Sequence, residues 1–246
     1  MAHRDTSSVG APCWVETFQL DPRAATEFYG PLFGWTFDET ETGFTALLDG
    51  RRVAGIGRAP AASQVGWLTY VRVADVAEIL ARAENAGGTG LLGPTPAGPD
   101  TDIALLTDAG GVPFGLLAGS GVEVVDEPNT WAMSSLHTTD VDRADAFYGN
   151  VFGWELATVP GAGFAEWRLG DRRVAVVTAT DGVAVPPHWS INFTVRDADA
   201  FAERAVALGA ALLMPPTDTP GFRSAVVRDP QGGVVAVSAR TDTITP

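Results

Sequence analysis

Two apolar segments of the sequence carry acidic, basic and aromatic side chains at alternate positions. Because side chains alternate between the two faces of a strand, each set shares one face. A carboxylate such as Glu16 among apolar neighbours can act as a general base or pair with a cationic ligand, and His137 can transfer a proton. The structural alternatives are a hydrogen-bonded or solvated Glu16 and a histidine that only packs. The two sets are Trp14, Glu16 and Phe18, and Met133, Ser135 and His137.

Further ionisable side chains lie in the second half of the chain. His188 follows two prolines at the predicted start of a strand. Arg168 lies two residues after Glu166, and this charged pair either serves a second pocket or covers a solvated strand face. The remaining histidine, His3, belongs to a predicted leader and is given no functional role.

The composition excludes several kinds of chemistry. The 246 residues include sixteen cationic side chains, all of them arginine, and thirty acidic ones, for a formal net charge of −14. Without lysine the chain cannot form Schiff bases or a Walker-type phosphate loop. The negative charge repels a phosphate backbone, so we expect no nucleic-acid partner and a neutral or cationic small molecule instead.

The cysteine content and the hydropathy pattern predict where in the cell the protein is located. A single cysteine, Cys13, excludes an intramolecular disulfide and indicates a reducing environment. Cys13 adjoins Trp14 in an apolar segment, so we expect a buried apolar residue rather than a reactive thiol. No stretch approaches the roughly 18 consecutive apolar residues of a membrane span. We therefore expect a cytoplasmic protein with no membrane partner.

The second half of the sequence repeats the first. The motif Phe28–Trp35 recurs as Phe147–Trp154, and a shorter match follows at Arg51–Ala54 and Arg172–Ala175. Collinear matches over so long a period indicate a duplicated domain, and the tryptophan that ends each motif is expected in a core. We divide the chain into a leader (1–11), a first domain (12–118), a linker (119–129), a second domain (130–240) and a tail (241–246).

Each copy is predicted to contain two β-α-β-β-β segments. Aspartates typical of helix N-caps precede the predicted helices. Short strand patterns, separated by glycine and polar residues, follow each helix. The predicted caps are Asp21 and Asp75 in the first copy, and Asp197 and either Asp140 or Asp142 in the second.

Four such segments, with Phe-Tyr ending the first helix of each copy and Phe-Gly-Trp following it, resemble the vicinal oxygen chelate superfamily. That superfamily includes glyoxalase I, extradiol dioxygenases, fosfomycin-modifying enzymes and bleomycin-resistance proteins. The resemblance extends from Pro12 to Ser238 and includes the turn Asp229-Pro230-Gln231-Gly232. It is nearest to tandem glyoxalase-like proteins of high-GC bacteria. It implies an α+β fold of four modules in two curved eight-stranded sheets, each around a cavity.

The resemblance also implies where a divalent metal would be held. Metal-binding members place histidine and glutamate at points on the first and last strands of their modules. The matching positions here carry side chains that do not bind such a metal well. We therefore expect no metal and no cofactor. These positions are Trp14, Thr69, Gly115, Met133, Ile191 and Ala236.

Strand alternation then predicts an aromatic-walled pocket with a few polar groups. We expect a metal-free protein of the bleomycin-resistance type, a monomer or homodimer that binds a small aromatic or cationic ligand. It would sequester a drug or metabolite or act as an accessory protein in secondary metabolism. The alternatives are a metal-independent isomerase, cyclase or hydroxylation partner that uses Glu16 or His137 catalytically, and a structural role. Whether each pocket lies within one copy or between copies stays open. The predicted ligand-binding residues are Trp14, Glu16, Phe18, Trp67, Thr69, Met133, Ser135, His137, Trp189, Ile191 and Phe193.

Overall fold

A β-α-β-β-β module occurs four times along the chain in the computed structural model, which describes residues 6–98, 100–183 and 186–241. His3 and the last five residues of the predicted tail lie outside the described residues. The first module comprises β1 (Pro12–Gln19), α1 (Pro22–Phe33), β2 (Thr36–Glu39), β3 (Gly43–Leu48) and β4 (Arg51–Arg58). The second comprises β5 (Gly66–Arg72), α2 (Val76–Asn85), β6 (Thr89–Gly98), β7 (Thr101–Thr107) and β8 (Pro113–Ala118).

The third and fourth modules repeat this order. The third comprises β9 (Trp131–Thr138), α3 (Val141–Phe152), β10 (Glu155–Thr158), β11 (Ala165–Leu169) and β12 (Arg172–Ala179). The fourth comprises β13 (His188–Thr194), α4 (Ala198–Ala207), β14 (Ala211–Thr219), β15 (Phe222–Arg228) and β16 (Val234–Arg240).

The strands form two eight-stranded sheets, which confirms the predicted α+β fold. One sheet has the order β2-β3-β4-β1-β5-β8-β7-β6, and the other has the order β10-β11-β12-β9-β13-β16-β15-β14. Within each module the first strand is parallel to the last, and the other pairs are antiparallel. The helix supplies the crossover that a parallel pair requires.

The helix ends follow from the local sequence. Asp21, Asp75, Asp140 and Asp197 are the N-caps, and each side chain accepts a hydrogen bond from a first-turn backbone N–H. The predicted caps are confirmed, with Asp140 rather than Asp142 in the third module. In the repeated Phe-Gly-Trp motif the glycine ends the helix with a φ of 72° at Gly34 and 74° at Gly153. No helix of the described chain is long and apolar enough to cross a membrane.

Contacts group the chain into two compact units that combine modules from both halves. Unit A comprises Met1–Trp14, Leu68–Gly121 and Met133–Ser190, and thus most of the second and third modules. Unit B comprises Val15–Trp67, Val122–Ala132 and Ile191–Pro246, and thus most of the first and fourth modules. The predicted boundaries at 12–118 and 130–240 follow the sequence repeat and stay a prediction.

Each unit has an aromatic core beside its helices. In unit A, Tyr148 of α3 stacks on Trp154 with ring centroids 5.0 Å apart and meets Trp167 at the same distance. In unit B, Phe33 of α1 stacks on Trp35 at 4.5 Å. Both motif tryptophans are therefore buried as expected. Such aromatic pairs add stability beyond their buried area.

Candidate functional site

Two tryptophan–tyrosine hydrogen bonds show which face of each strand points at the helices. Trp67 Nε1 donates to the Tyr29 hydroxyl at 3.1 Å, and Tyr29 lies on α1. Trp189 Nε1 donates in the same way to Tyr148, on α3, at 2.9 Å. We call the strand face that points away from these helices the open face.

Five of the predicted pocket residues face the helices instead. Phe193 packs on Phe33 of α1 with ring centroids 5.0 Å apart. Thr69 is hydrogen-bonded to Ser134 at 2.6 Å and is fully buried. The predicted orientation is therefore wrong, because alternation gives the period of a strand but not its phase. The five residues are Trp67, Thr69, Trp189, Ile191 and Phe193.

In unit B, Glu16 and Phe18 lie on the open face of β1. Their neighbours Thr17 and Gln19 point the other way and are buried near the Tyr29 hydroxyl. Glu16 is the register partner of Gly55 on β4, and Phe18 is that of Gly57. A Cβ on Gly57 would lie 2.8 Å from Glu16 Oε1 and 2.9 Å from Phe18 Cε1. Both side chains thus cover a strand that has no side chain of its own there.

The same row continues across two more strands of unit B. Gly55 pairs with Thr45 on β3, and Thr45 pairs with Asp38 on β2. At about 4.8 Å per strand, the two carboxylate-bearing backbones lie roughly 14 Å apart. We call this set the Glu16 face: Glu16, Phe18, Asp38, Thr45, Gly55 and Gly57.

Unit A has a corresponding open face with different side chains. Ser135 pairs with Val176 on β12, and Val176 pairs with Glu166 on β11. The Glu166 carboxylate accepts from Arg168 at 3.2 Å and from Arg173 at 3.0 Å. We call this set the His137 face: Met133, Ser135, His137, Glu166, Val176, Thr178 and His188.

Two histidines stack on the His137 face. The rings of His137 and His188 are parallel, with an interplanar angle of 2° and centroids 4.7 Å apart. Burial and then the neighbouring His188 lower the pKa of His137 to about 4, so its imidazole is neutral at neutral pH. His188 Nδ1 donates to the Pro186 carbonyl oxygen at 2.8 Å. His137 can therefore accept a proton at neutral pH, and a pKa this low makes it a weaker base than ordinary imidazole.

The remaining two predicted residues occupy different surroundings. Trp14 is half-buried and packs against Cys13, Tyr70 and Leu117. Met133 is half-buried on β9. Burial raises the pKa of the Cys13 thiol to about 12, which keeps it protonated and unreactive.

A buried tyrosine–aspartate pair, which the sequence patterns above did not predict, occurs in each unit. Tyr29 donates to Asp229 Oδ2 at 2.6 Å, and Tyr148 donates to Asp108 Oδ2 at 3.1 Å. Burial and the adjacent carboxylate raise the pKa of both tyrosines, so both hydroxyls keep their protons. The repeated Phe-Tyr and Asp-x-x-Gly motifs were the available signal. A small cavity lies beside this pair in unit B, lined in part by Gln19 and Phe28, on the helix side.

The residues at the implied metal positions do not fit a chelated divalent ion. Gly115 and Ala236 offer no donor atom, and Trp14 and Met133 offer poor ones. Thr69 and Ile191 face the helices. Their open-face neighbours are Leu68 and Tyr70, and Ser190 and Asn192. Within the described residues, no group of three or more His, Cys, Asp or Glu side chains is arranged to hold a metal.

Comparison with known proteins found relatives whose sequences align with nearly all of this chain. Residues 133–238 match the family described as "Glyoxalase-like domain". A Mycobacterium tuberculosis protein named as the glyoxylase CFP32 is 32% identical over 254 residues, which cover 96% of this chain and 97% of that protein. The anthracycline biosynthesis protein DauV of a Streptomyces species is 32% identical over 255 residues, which cover 93% and 92%.

Solved structures share the fold at low identity. The Mn(II)-bound glyoxalase from Novosphingobium aromaticivorans has a TM-score of 0.65 at 16% identity and covers 94% of this chain and 82% of its own. The 2,2',3-trihydroxybiphenyl 1,2-dioxygenase from Sphingomonas wittichii has a TM-score of 0.62 at 17% identity, with coverages of 94% and 91%. At such low sequence identities the similarity is evidence for a shared fold alone.

Proposed function

Because this chain belongs to the vicinal oxygen chelate superfamily and contains a glyoxalase-like domain, we propose that it binds a small aromatic metabolite without a chelated metal. The observation that carries the proposal is the replacement of the implied metal ligands by Trp14, Met133, Gly115 and Ala236. The fold is kept while the ligand set of its metal enzymes is missing. This combination supports sequestration or delivery of a metabolite, as in bleomycin-resistance proteins.

The ligand class rests on the open faces and on the relatives. The Glu16 face contains Phe18, and the His137 face contains two stacked imidazoles. Rings of both kinds pack well against planar ligands. Two Streptomyces relatives are named for anthracycline biosynthesis, which supports a role in secondary metabolism and an aromatic, polyketide-like ligand. The cytoplasmic location and a monomeric or dimeric state stay predictions.

Metal analysis tests the proposal directly. We expect the purified, untagged protein to hold less than about a tenth of an equivalent of metal after incubation with iron, manganese, nickel or zinc and removal of the excess. We also expect saturable quenching of tryptophan fluorescence by hydroxylated anthraquinones. Binding of one metal equivalent per copy would reinstate a metal enzyme, and no quenching by any aromatic probe would count against the ligand class.

A metal-independent enzyme is the second candidate, and the neutral His137 favours it. With a pKa of about 4, His137 is a weak base, so in this role it accepts a proton only from a strongly acidic group of a bound ligand. If so, His137→Gln lowers the turnover rate by at least about a hundredfold and weakens binding far less. Glu16→Gln makes the parallel test of the other candidate base. Binding without turnover in the wild-type protein would exclude this alternative.

A further inference from the structure

We propose that Arg168 and Arg173 form a carboxylate-binding subsite at the edge of the His137 face, so that the ligand is an aromatic compound that carries a carboxylate. The inference rests on the ligand-binding function proposed above and adds the charge of the ligand. It is drawn from the register, the ion pairs and the exposure of side chains on β11 and β12, all of which lie in unit A.

The two arginines lie opposite each other on the open face of unit A. Arg168 on β11 is the register partner of Arg173 on β12, so their side chains share one face of the sheet. Trp167 points the other way, because its Nε1 donates to Asp145 of α3 at 3.0 Å. Its neighbours Glu166 and Arg168 therefore lie on the face away from the helix. Like charges directly opposite each other are destabilising, so this pair favours a shared anion.

Glu166 supplies one negative charge for the two positive ones. Its Oε2 accepts from Arg168 at 3.2 Å, and its Oε1 accepts from Arg173 at 3.0 Å. The glutamate side chain is only 12% exposed, whereas the arginine side chains are 45% and 48% exposed. Each guanidinium has five N–H groups and uses one of them for Glu166, so its exposed side can bind a second carboxylate. That second carboxylate would balance the remaining positive charge.

The corresponding place in unit B has no excess of positive charge. There Leu47 is the register partner of Arg52, so one arginine takes the place of two. Arg52 forms an ion pair with Glu123 at 3.3 Å, which balances its charge. We therefore place one carboxylate-binding subsite in each chain rather than two.

The rest of the His137 face can hold the rings of the ligand. Glu166, Val176 and Ser135 follow one another in register across three strands, so the backbones of β11 and β9 lie roughly 10 Å apart. His137 lies two residues beyond Ser135 and stacks on His188. Val176, Ser135 and His137 are each partly exposed. A ligand of two or three fused rings can therefore place its carboxylate at the arginine pair and its far ring against the imidazoles.

The charge of the whole chain makes this proposal specific to the arginine pair. A net charge of −14 repels an anion at long range and by itself favours a neutral or cationic ligand. Any preference for a carboxylate must therefore come from short-range, charge-assisted hydrogen bonds to guanidinium groups. Removal of either arginine leaves the other neutralised by Glu166, so each single variant should lose the preference.

The test compares two probes that have similar shapes and different charges. One is an anthraquinone with a carboxylate substituent, and the other is the matching primary carboxamide. By calorimetric titration we expect the wild-type chain to bind one equivalent of the carboxylate at least about tenfold more tightly than the carboxamide. Arg168→Gln and Arg173→Gln should each reduce this preference to less than about threefold. Because both probes are measured on the same protein, the ratio does not depend on the fraction of each variant that is folded.

A matched variant controls for the loss of one positive charge. Arg204→Gln removes the same charge from an exposed position on α4 and should bind both probes like the wild type. Equal affinity of the wild-type chain for the two probes, or a preference that survives in either arginine variant of the pair, overturns the carboxylate subsite and leaves the proposed function standing. If the wild-type chain binds neither probe at millimolar concentration, the proposed function fails as well.

Discussion

The two buried tyrosines connect residues that are distant in the sequence. Each hydroxyl donates to an aspartate and accepts from a tryptophan, so its removal takes one donor from a carboxylate and the acceptor from an indole N–H. The aspartates are themselves bound by backbone N–H groups of tight turns, as at Gly232 and Gly233 next to Asp229. An unpaired buried polar group costs more than a typical hydrogen bond contributes.

Tyr29→Phe tests this pair in unit B. We expect the free energy of unfolding to fall by about 1–3 kcal/mol, because Asp229 loses a donor and Trp67 loses an acceptor while the ring packing is kept. Urea unfolding measures the change. Tyr148→Phe makes the same deletion in unit A, where Asp108 loses a donor and Trp189 loses an acceptor. Unchanged midpoints in both variants would contradict the role of these pairs.

The low pKa of His137 predicts a pH-dependent stability. The unfolded histidine titrates near 6.5 and the folded one at about 4, so the unfolded chain takes up the proton first as the pH falls. This contribution is intact above pH 6.5 and is lost between pH 6.5 and pH 4. Because the ring is partly exposed, we expect roughly 1–2 kcal/mol rather than the full value of the shift.

His137→Gln isolates this contribution. Denaturant unfolding of both proteins between pH 4.5 and pH 7.5 should give curves that converge as the pH falls, since the variant lacks the titrating group. Parallel curves for the wild type and the variant would mean that His137 titrates normally in the folded protein.

The sequence predicted those features of the candidate site that depend only on the spacing of residues along a strand. Glu16, Phe18 and His137 do lie on the faces that point away from α1 and α3. Trp67 and Trp189 do not, because which residues of a strand face the core depends on the helix that covers it, and no local pattern encodes this phase. The stacking of His188 on His137 joins residues of different modules, so it could not be predicted from the sequence.

At the scale of elements, the helix caps explain why the four modules were recognisable. An aspartate N-cap accepts local backbone N–H groups, so its effect depends on neighbours in the sequence and not on tertiary contacts. The predicted helix starts at Asp21, Asp75 and Asp197 are confirmed for this reason.

The cap of α4 offers a clean measurement. Asp197 Oδ1 accepts from the N–H of Asp199 at 2.9 Å and of Ala200 at 3.0 Å. We expect Asp197→Ala to lower the free energy of unfolding by about 1 kcal/mol, and Asp197→Asn to lower it by much less, because asparagine keeps the accepting oxygen. Chemical denaturation compares the two variants, and equal losses would show that the charge matters more than the cap.

At the scale of the whole molecule, each compact unit contains packing from both halves of the chain. The first module supplies Tyr29 and Phe33 to unit B, and the fourth module supplies Asp229 and Phe193. The second module supplies Asp108 to unit A, and the third supplies Tyr148. The sequence repeat indicates which segments are homologous, but it contains no information on which of them pack together.

Expression of residues 1–121 alone tests this arrangement. The fragment lacks the module that packs on α1 and the module that packs on α2, so we expect no cooperative unfolding transition by circular dichroism. The full-length chain serves as the reference. A fragment that unfolds cooperatively would instead support the predicted domain boundary after residue 118.

The two units can complete their packing at different times, because the ribosome releases the modules in order. Tyr148 follows Asp108 by only 40 residues, whereas Tyr29 precedes its partner Asp229 by 200. At about 5–20 residues per second, the first helix emerges roughly 10–40 s before the segment that covers it. Unit A can close during synthesis, while α1 must be shielded until the last module appears. Chaperone dependence should therefore concentrate on the first module.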